Sequence, residues 1–275
     1  MSPVLAALCG LFYVCGLHDM SIDLDRAKFF DAVRRQPFAG HLTAPQVAGM
    51  EAILDACPPD LGVEKTAYCL ATTFHETART MRPIEEIGRG RGRSYGPTGF
   101  WGRGFVQLTW QANYAKATKE LRARGILKPS EDLVKTPALA MRPDVAAAIL
   151  FFGMIEGWFT GKKLGDYFVP GRSDPKGARR IINGTDCDAL IAGYHAQFRV
   201  ALIASVRVPD PAPPPKVPDP LSPMANMSSS PAPQISSPAS PQPAPSGGLF
   251  HAPSPAPTAP GFWSRVHALL SRKAA

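Results

Sequence analysis

Metal-ligand spacing, a phosphate loop, a disulfide framework and alternating strands are all missing from this chain of 275 residues, and each absence removes a class of protein. The five cysteines, Cys9, Cys15, Cys57, Cys69 and Cys187, are odd in number and form no CxxC pair. A zinc ribbon is thereby excluded and a disulfide scaffold disfavoured, leaving free, mostly buried thiols. His75 and Glu76 open a zinc-protease pattern, but Arg79 stands where the second histidine belongs, so no metal is expected. Gly88, Gly90, Gly92 and Gly96 link no strand to a helix, and no Gly-Lys-Ser/Thr follows, which argues against a nucleotide or other organic cofactor. No Lys or Arg precedes Arg26, so the apolar run from Val4 to Leu17 lacks the positive flank of a secretory signal. That run is also too short for an ordinary membrane span. Translation starting at Met20 is the preferred account of residues 1–19, ahead of a weak signal.

What is present is unevenly distributed. Eighteen of the 30 prolines lie between Pro209 and Pro260, in a Pro/Ala/Ser stretch too poor in apolar and β-branched residues to offset its chain entropy. Residues 207–260 are therefore expected to form a disordered, partly polyproline tail, and residues 20–206 the folded domain. The formal charge of +8 is spread thinly, with 25 basic and 20 acidic residues up to position 206. Mild basicity suits anionic polymers in general, including bacterial wall material and nucleic acid, without choosing among them. Residues 261–275 place Phe262, Trp263, Val266, Leu269 and Leu270 beside Arg265, Arg272 and Lys273. Such a short basic amphipathic segment is suited to weak membrane or wall contact, or to remaining a disordered tail.

Apolar spacing predicts helices along most of the domain. Leu24, Ala27, Phe30 and Val33 share one face. Thr43, Pro45 and Gln46 form a helix start before Val47, Met50, Ile53 and Leu54, and Pro58-Pro59 end that helix. Val63, Ala67, Leu70, Ala71 and Phe74 predict a third helix with Glu76 near its end. At about 100° per residue Glu76 points away from this stripe, toward a cleft or solvent. Residues 87–104, dense in glycine and arginine, read as a loop, and a helix resumes over 107–119. A strongly apolar helix begins at Pro143, a short one at Asp174-Pro175, and a last one at Asp186 or Asp188. The expected fold is mainly α-helical, without a convincing strand or internal repeat.

The chemistry concentrates between Phe74 and Tyr114. Glycoside cleavage needs one carboxyl group to protonate the departing oxygen and, in an inverting reaction, a second to deprotonate water on the opposite face of the sugar. Glu76 and the neighbours Glu85 and Glu86 supply carboxyl groups; Gln107, Thr109, Asn113, Tyr95 and Trp101 supply amide, hydroxyl and aromatic groups of the kinds that bind sugars. Alternating Gly and Arg at 88–93 beside Tyr95, Phe100 and Trp101 also suits single-stranded nucleic acid. The tract is too short for that reading to prevail, and no specific nucleic-acid partner is expected.

Three blocks in order, His75-Glu76-Thr77, Gly102 through Thr109 with Asn113-Tyr114, and Ile182-Asn183-Gly184, resemble the family 19 glycoside hydrolases, which comprise chitinases and related phage and bacterial endolysins. The resemblance runs from about Asp23 to Val206, and the Gly102–Tyr114 block is its most specific part. It implies a lysozyme-like, two-lobed helical domain with a substrate cleft, acting as a monomer without cofactor. Glu76 matches the family's general acid. Gln107, Thr109 and Asn113 fit its Q-x-[ST]-x-x-x-N pattern, and Asn183 matches the substrate-contacting asparagine of its I-N-G block. Gly184 equally suits a left-handed helix cap. The water-activating base falls to Glu86 in preference to Glu85, its neighbour; like-charge repulsion between them raises one pKa. A β-1,4-linked N-acetylglucosamine polymer is the implied substrate, peptidoglycan ahead of chitin, with a catalytically silent wall-binding protein as the alternative of another class. Action on the cell wall follows, after synthesis in the cytoplasm and release or export.

Overall fold

The structure, a computed structural model, describes residues 23–207. The apolar N-terminal run, the Pro-rich tail and the terminal amphipathic segment lie outside the described residues. Six α-helices carry the domain: α1 (Arg26–Arg35), α2 (Ala44–Asp55), α3 (Val63–Glu76), α4 (Gln111–Ala123), α5 (Pro143–Glu156) and α6 (Asp188–Ser205). The mainly α-helical expectation holds. Two antiparallel strand pairs, which the sequence did not reveal, join them: β1 (Ile84–Glu85) with β2 (Arg103–Gly104), and β3 (Phe168–Val169) with β4 (Arg172–Ser173). None of the described helices is long and apolar enough to cross a membrane.

Local chemistry explains the helix boundaries. At the start of α2 the side-chain oxygen of Gln46 accepts from the Thr43 N–H at 2.8 Å, and Pro45 occupies the first turn where a missing N–H costs nothing. At the start of α1 Asp25 accepts from the Lys28 N–H at 3.1 Å. Helix α5 ends at Gly157, whose φ of 76° places it in the left-handed region that glycine adopts without penalty. Helix α4 begins at Gln111, four residues later than its apolar spacing suggests. Gln107 and Trp110 both adopt positive φ and Leu108 pairs with Arg103, so the chain turns at 105–107 and becomes helical only at Gln111.

Helix α3 is the central strut. Every residue from Thr66 to Glu76 is buried, including the apolar stripe from Val63 to Phe74. Phe74 meets Phe38 at 5.1 Å, Tyr194 at 4.8 Å and Phe198 at 5.8 Å, all edge-on, which locks α3 against α6. A second clasp between these helices is polar: Glu64 takes hydrogen bonds or ion pairs from Ser173 at 2.9 Å, His195 at 3.3 Å and Arg199. Asp25 N–H donates to Ser205 O at 2.8 Å and Arg207 N–H to Asp23 O at 2.9 Å, tying the two ends of the described segment together. Met81 carbonyl lies directly over Gly49, where any side chain would clash, so α2 approaches the residues just beyond Glu76 closely. The end of α3 is thus fixed from several sides.

Candidate active site

Glu76 is the last residue of α3; helical geometry turns it toward a cleft or solvent, and it is 4% exposed. The reason is Arg179, carried on the 3-10 turn Gly177–Ile181, which covers that side of the helix. Its Nη1 donates to Glu76 Oε1 at 2.6 Å, and both side chains are nearly excluded from water, at 1% and 5% exposure. Arg179 Nε donates to the Asp186 carbonyl at 2.9 Å. Burial opposes the arginine's charge, but Glu76 first, then Tyr68 and Asp186, outweigh it and hold the guanidinium charged above its ordinary range. Arg179 thus links the Glu76 carboxyl to the backbone of Asp186. Asn183 sits on the same turn, its N–H donating to Arg179 O at 3.0 Å, while its side chain is exposed. Gly184 beside it has φ +45°, in the left-handed region, but the turn itself is capped by Ile182, two residues earlier.

A second cluster is built on the β1–β2 pair. Glu85 and Arg103 are register partners across it. Arg103 Nη2 lies 3.1 Å from Glu85 Oε1, Trp101 Nε1 donates to the same oxygen at 2.8 Å, and Arg89 Nε donates to Oε2 at 3.1 Å. Partial burial works against the Glu85 charge, yet the Trp101 bond and the Arg103 and Arg89 charges prevail and hold its carboxyl below the usual range. Arg103 itself is buried; besides Glu85 it reaches Gly99 O at 3.0 Å and Tyr114 Oη at 3.1 Å, and its guanidinium lies 4.5 Å from the Trp101 ring centroid. These partners compensate the desolvated charge.

Glu86, one residue on, points elsewhere. It is 7% exposed, and its two oxygens accept from the Tyr95 hydroxyl and the Gly102 N–H, each at 3.0 Å. Burial and the negative charge of Glu86 push the Tyr95 phenol up to about 12, so it serves as a neutral donor. Glu86 therefore staples the 88–96 loop to the strand pair. A Cβ at Gly102 would stand 2.7 Å from Gln107 Oε1, so any larger residue there would displace the Gln107 amide.

The other expected residues brace the backbone around these clusters. Gln107 spends its amide N–H groups on Ile84 O at 3.1 Å and Gly104 O at 3.3 Å, bracing β1 against β2. Asn113 Nδ2 donates to Thr109 O at 2.9 Å, securing the turn into α4. Tyr95 and Trp101 are half-buried and each holds one of the two neighbouring glutamates. Three participants escaped the sequence reading: Arg179, Asp186 and Arg103. Arg103 was visible inside the Gly102-Arg103-Gly104 block, whereas Arg179 differs from Arg180 only in which way it turns, and no periodicity fixes that within a five-residue turn. Among the described residues no group of three or more His, Cys, Asp or Glu side chains is placed to hold a metal ion.

No family model matches the chain, and no curated protein does. Solved structures do resemble it. Chitinase C from Streptomyces griseus HUT6037 is 20% identical over 66% of this chain and 78% of that one, with a TM-score of 0.46. A bacterial family 19 chitinase is 21% identical over 65% of this chain and 94% of that one, with a TM-score of 0.41. A mutant of chitinase C is 19% identical over 66% and 78% of the respective chains, with a TM-score of 0.43.

Proposed function

We propose that the chain is a glycoside hydrolase that cleaves β-1,4 bonds in an N-acetylglucosamine-containing polymer by an inverting acid/base mechanism. The observation that carries the reading is the pairing of Glu76 with a fully buried arginine at a helix end, followed within ten residues by two further glutamates framed by Tyr95, Trp101 and Gln107. An ordinary surface glutamate has no need of a buried guanidinium partner.

In this mechanism Glu76 gives its proton to the glycosidic oxygen as the bond to the anomeric carbon breaks. Arg179, already in place, neutralises the carboxylate that this transfer leaves behind, without reorganisation at the moment of reaction. On the opposite face of the sugar a second carboxylate takes a proton from the attacking water, and the configuration inverts. The sequence motif favours Glu86 for that step, but the surroundings of the pair favour Glu85. The Glu85 side chain is 28% exposed and held ionised, as a water-activating base must be. Glu86 is closed off by Tyr95 and Gly102. We therefore assign the base role to Glu85 and a bracing role to Glu86.

Peptidoglycan is preferred to chitin on one feature. Arg91 is exposed and Arg93 half-exposed on the loop that Glu86 and Tyr95 anchor, and neither takes part in an ion pair among the described residues. Cationic side chains at the rim complement the lactyl and peptide carboxylates of peptidoglycan, whereas chitin is neutral. Parallel digestion of the two polymers tests the choice: soluble sugar released from peptidoglycan supports it, and release from chitin alone refutes it.

A further inference from the structure

Trp110 keeps a costly backbone conformation while leaving its ring in water. Its φ of +69° lies in the region that glycine favours, where a bulky aromatic residue is an outlier. The backbone groups account for the turn: Trp110 N–H donates to Phe100 O at 2.9 Å, and its carbonyl accepts from Asn113 N–H at 3.0 Å and Tyr114 N–H at 3.2 Å. Glycine would make the same three bonds without strain. Nor does the core explain the side chain, because the residue is 46% exposed, one of only three large hydrophobic residues so exposed among those described. Strain retained at an exposed aromatic calls for a role outside folding.

Its neighbours indicate that role. The indole meets Tyr95 edge-on, with centroids 5.4 Å apart and planes at 75°, and the Tyr95 hydroxyl donates to Glu86 at 3.0 Å. One aromatic ring thus separates Trp110 from the Glu85/Glu86 pair. The edge contact fixes the indole's orientation before any ligand arrives, and Ile87, 69% exposed, follows Glu86 immediately. β-1,4-linked N-acetylated pyranoses carry their polar substituents at the ring edge and present C–H groups on their faces. A fixed, half-exposed indole matches such a face.

We propose that Trp110 is a substrate-positioning platform on which a pyranose ring of the glycan stacks. This rests on the glycoside-hydrolase reading above. The test compares wild type, Trp110→Gly and Trp110→Phe by thermal melting and by initial rates on a soluble N-acetylglucosamine hexamer and on solubilised, uncrosslinked peptidoglycan strands. The glycine variant should melt within about 2 °C of wild type or higher, since the strain is relieved. Its KM should rise about tenfold on the substrate that wild type cleaves, with a smaller fall in kcat, and phenylalanine should recover most of the KM. An unchanged KM, or a large drop in melting temperature with no KM effect, assigns Trp110 to packing and overturns the proposal while leaving the hydrolase reading intact. Failure of wild type on both substrates overturns both.

Discussion

Replacing Arg179 by methionine is the sharpest physical probe of the buried pair. The substitution keeps the length of the side chain and removes its charge, leaving Glu76 at 4% exposure without the guanidinium 2.6 Å away. Both partners are dry, so little solvent screening reduces the cost. Deleting one member of such a buried pair destabilises by about 3–5 kcal/mol, because the burial of the remaining polar group loses this compensation. For a domain of this size each kcal/mol shifts the midpoint by about 2–4 °C, so melting should fall by roughly 6–20 °C. Glu76→Gln alone should cost less, about 1–3 kcal/mol, since the amide oxygen still accepts from Arg179 and the Asp186 carbonyl still accepts from the guanidinium. Combining the two changes also removes the carboxyl whose burial Arg179 compensates, and the double variant should melt above Arg179→Met alone. Calorimetry on the four proteins gives the coupling directly. A loss below about 1 kcal/mol for Arg179→Met, or strictly additive singles, would refute the view that this pair is a buried, coupled unit.

The remaining expectations follow from the neighbouring clusters. Glu85→Gln should lower kcat by about 10²–10⁴-fold with a modest effect on melting, whereas Glu86→Gln should mainly lower the melting temperature by releasing Tyr95 and Gly102. The reverse ranking in a kinetic assay returns the base role to Glu86. Glu64 gives a pH signature: burial opposes its charge, but bonds from His195, Arg199 and Ser173 hold its carboxyl down to about 2 from an ordinary 4.5. Because the folded value is depressed, the stabilisation is complete above about pH 5 and is lost as pH falls from there toward 2. Allowing for solvent at its 12% exposed edge, it amounts to on the order of 2 kcal/mol. Melting measured between pH 6 and 2 should fall more steeply for wild type than for Glu64→Gln, and parallel curves count against this account.

Most of the helices were legible because they carry apolar residues at helical spacing, and α2 and α5 also carry proline in the first turn. The two strand pairs were not, since a two-residue strand is too short to display an alternating pattern. Gln107 shows the limits for the site. Its place in the motif was plain, but the motif says nothing of the positive φ that turns its amide back onto Ile84 and Gly104. Glu76 shows a different limit: spacing turned its side chain away from the stripe, yet could not say that Arg179, about a hundred residues later, would pair with it. Direction is local in sequence and burial is not. The surroundings of Glu85 and Glu86 are of the same kind, set by where Trp101, Arg103 and Tyr95 lie after the chain returns.

The most direct test of the central claim is mass spectrometry of the soluble products formed when wild type and a folded Glu76→Gln variant digest purified peptidoglycan and chitin. The account predicts glycan fragments cut at β-1,4 bonds from peptidoglycan with wild type, and loss of nearly all release with Glu76→Gln while circular dichroism still shows a helical protein. No product from either polymer with wild type, or near-normal release by Glu76→Gln, would contradict it.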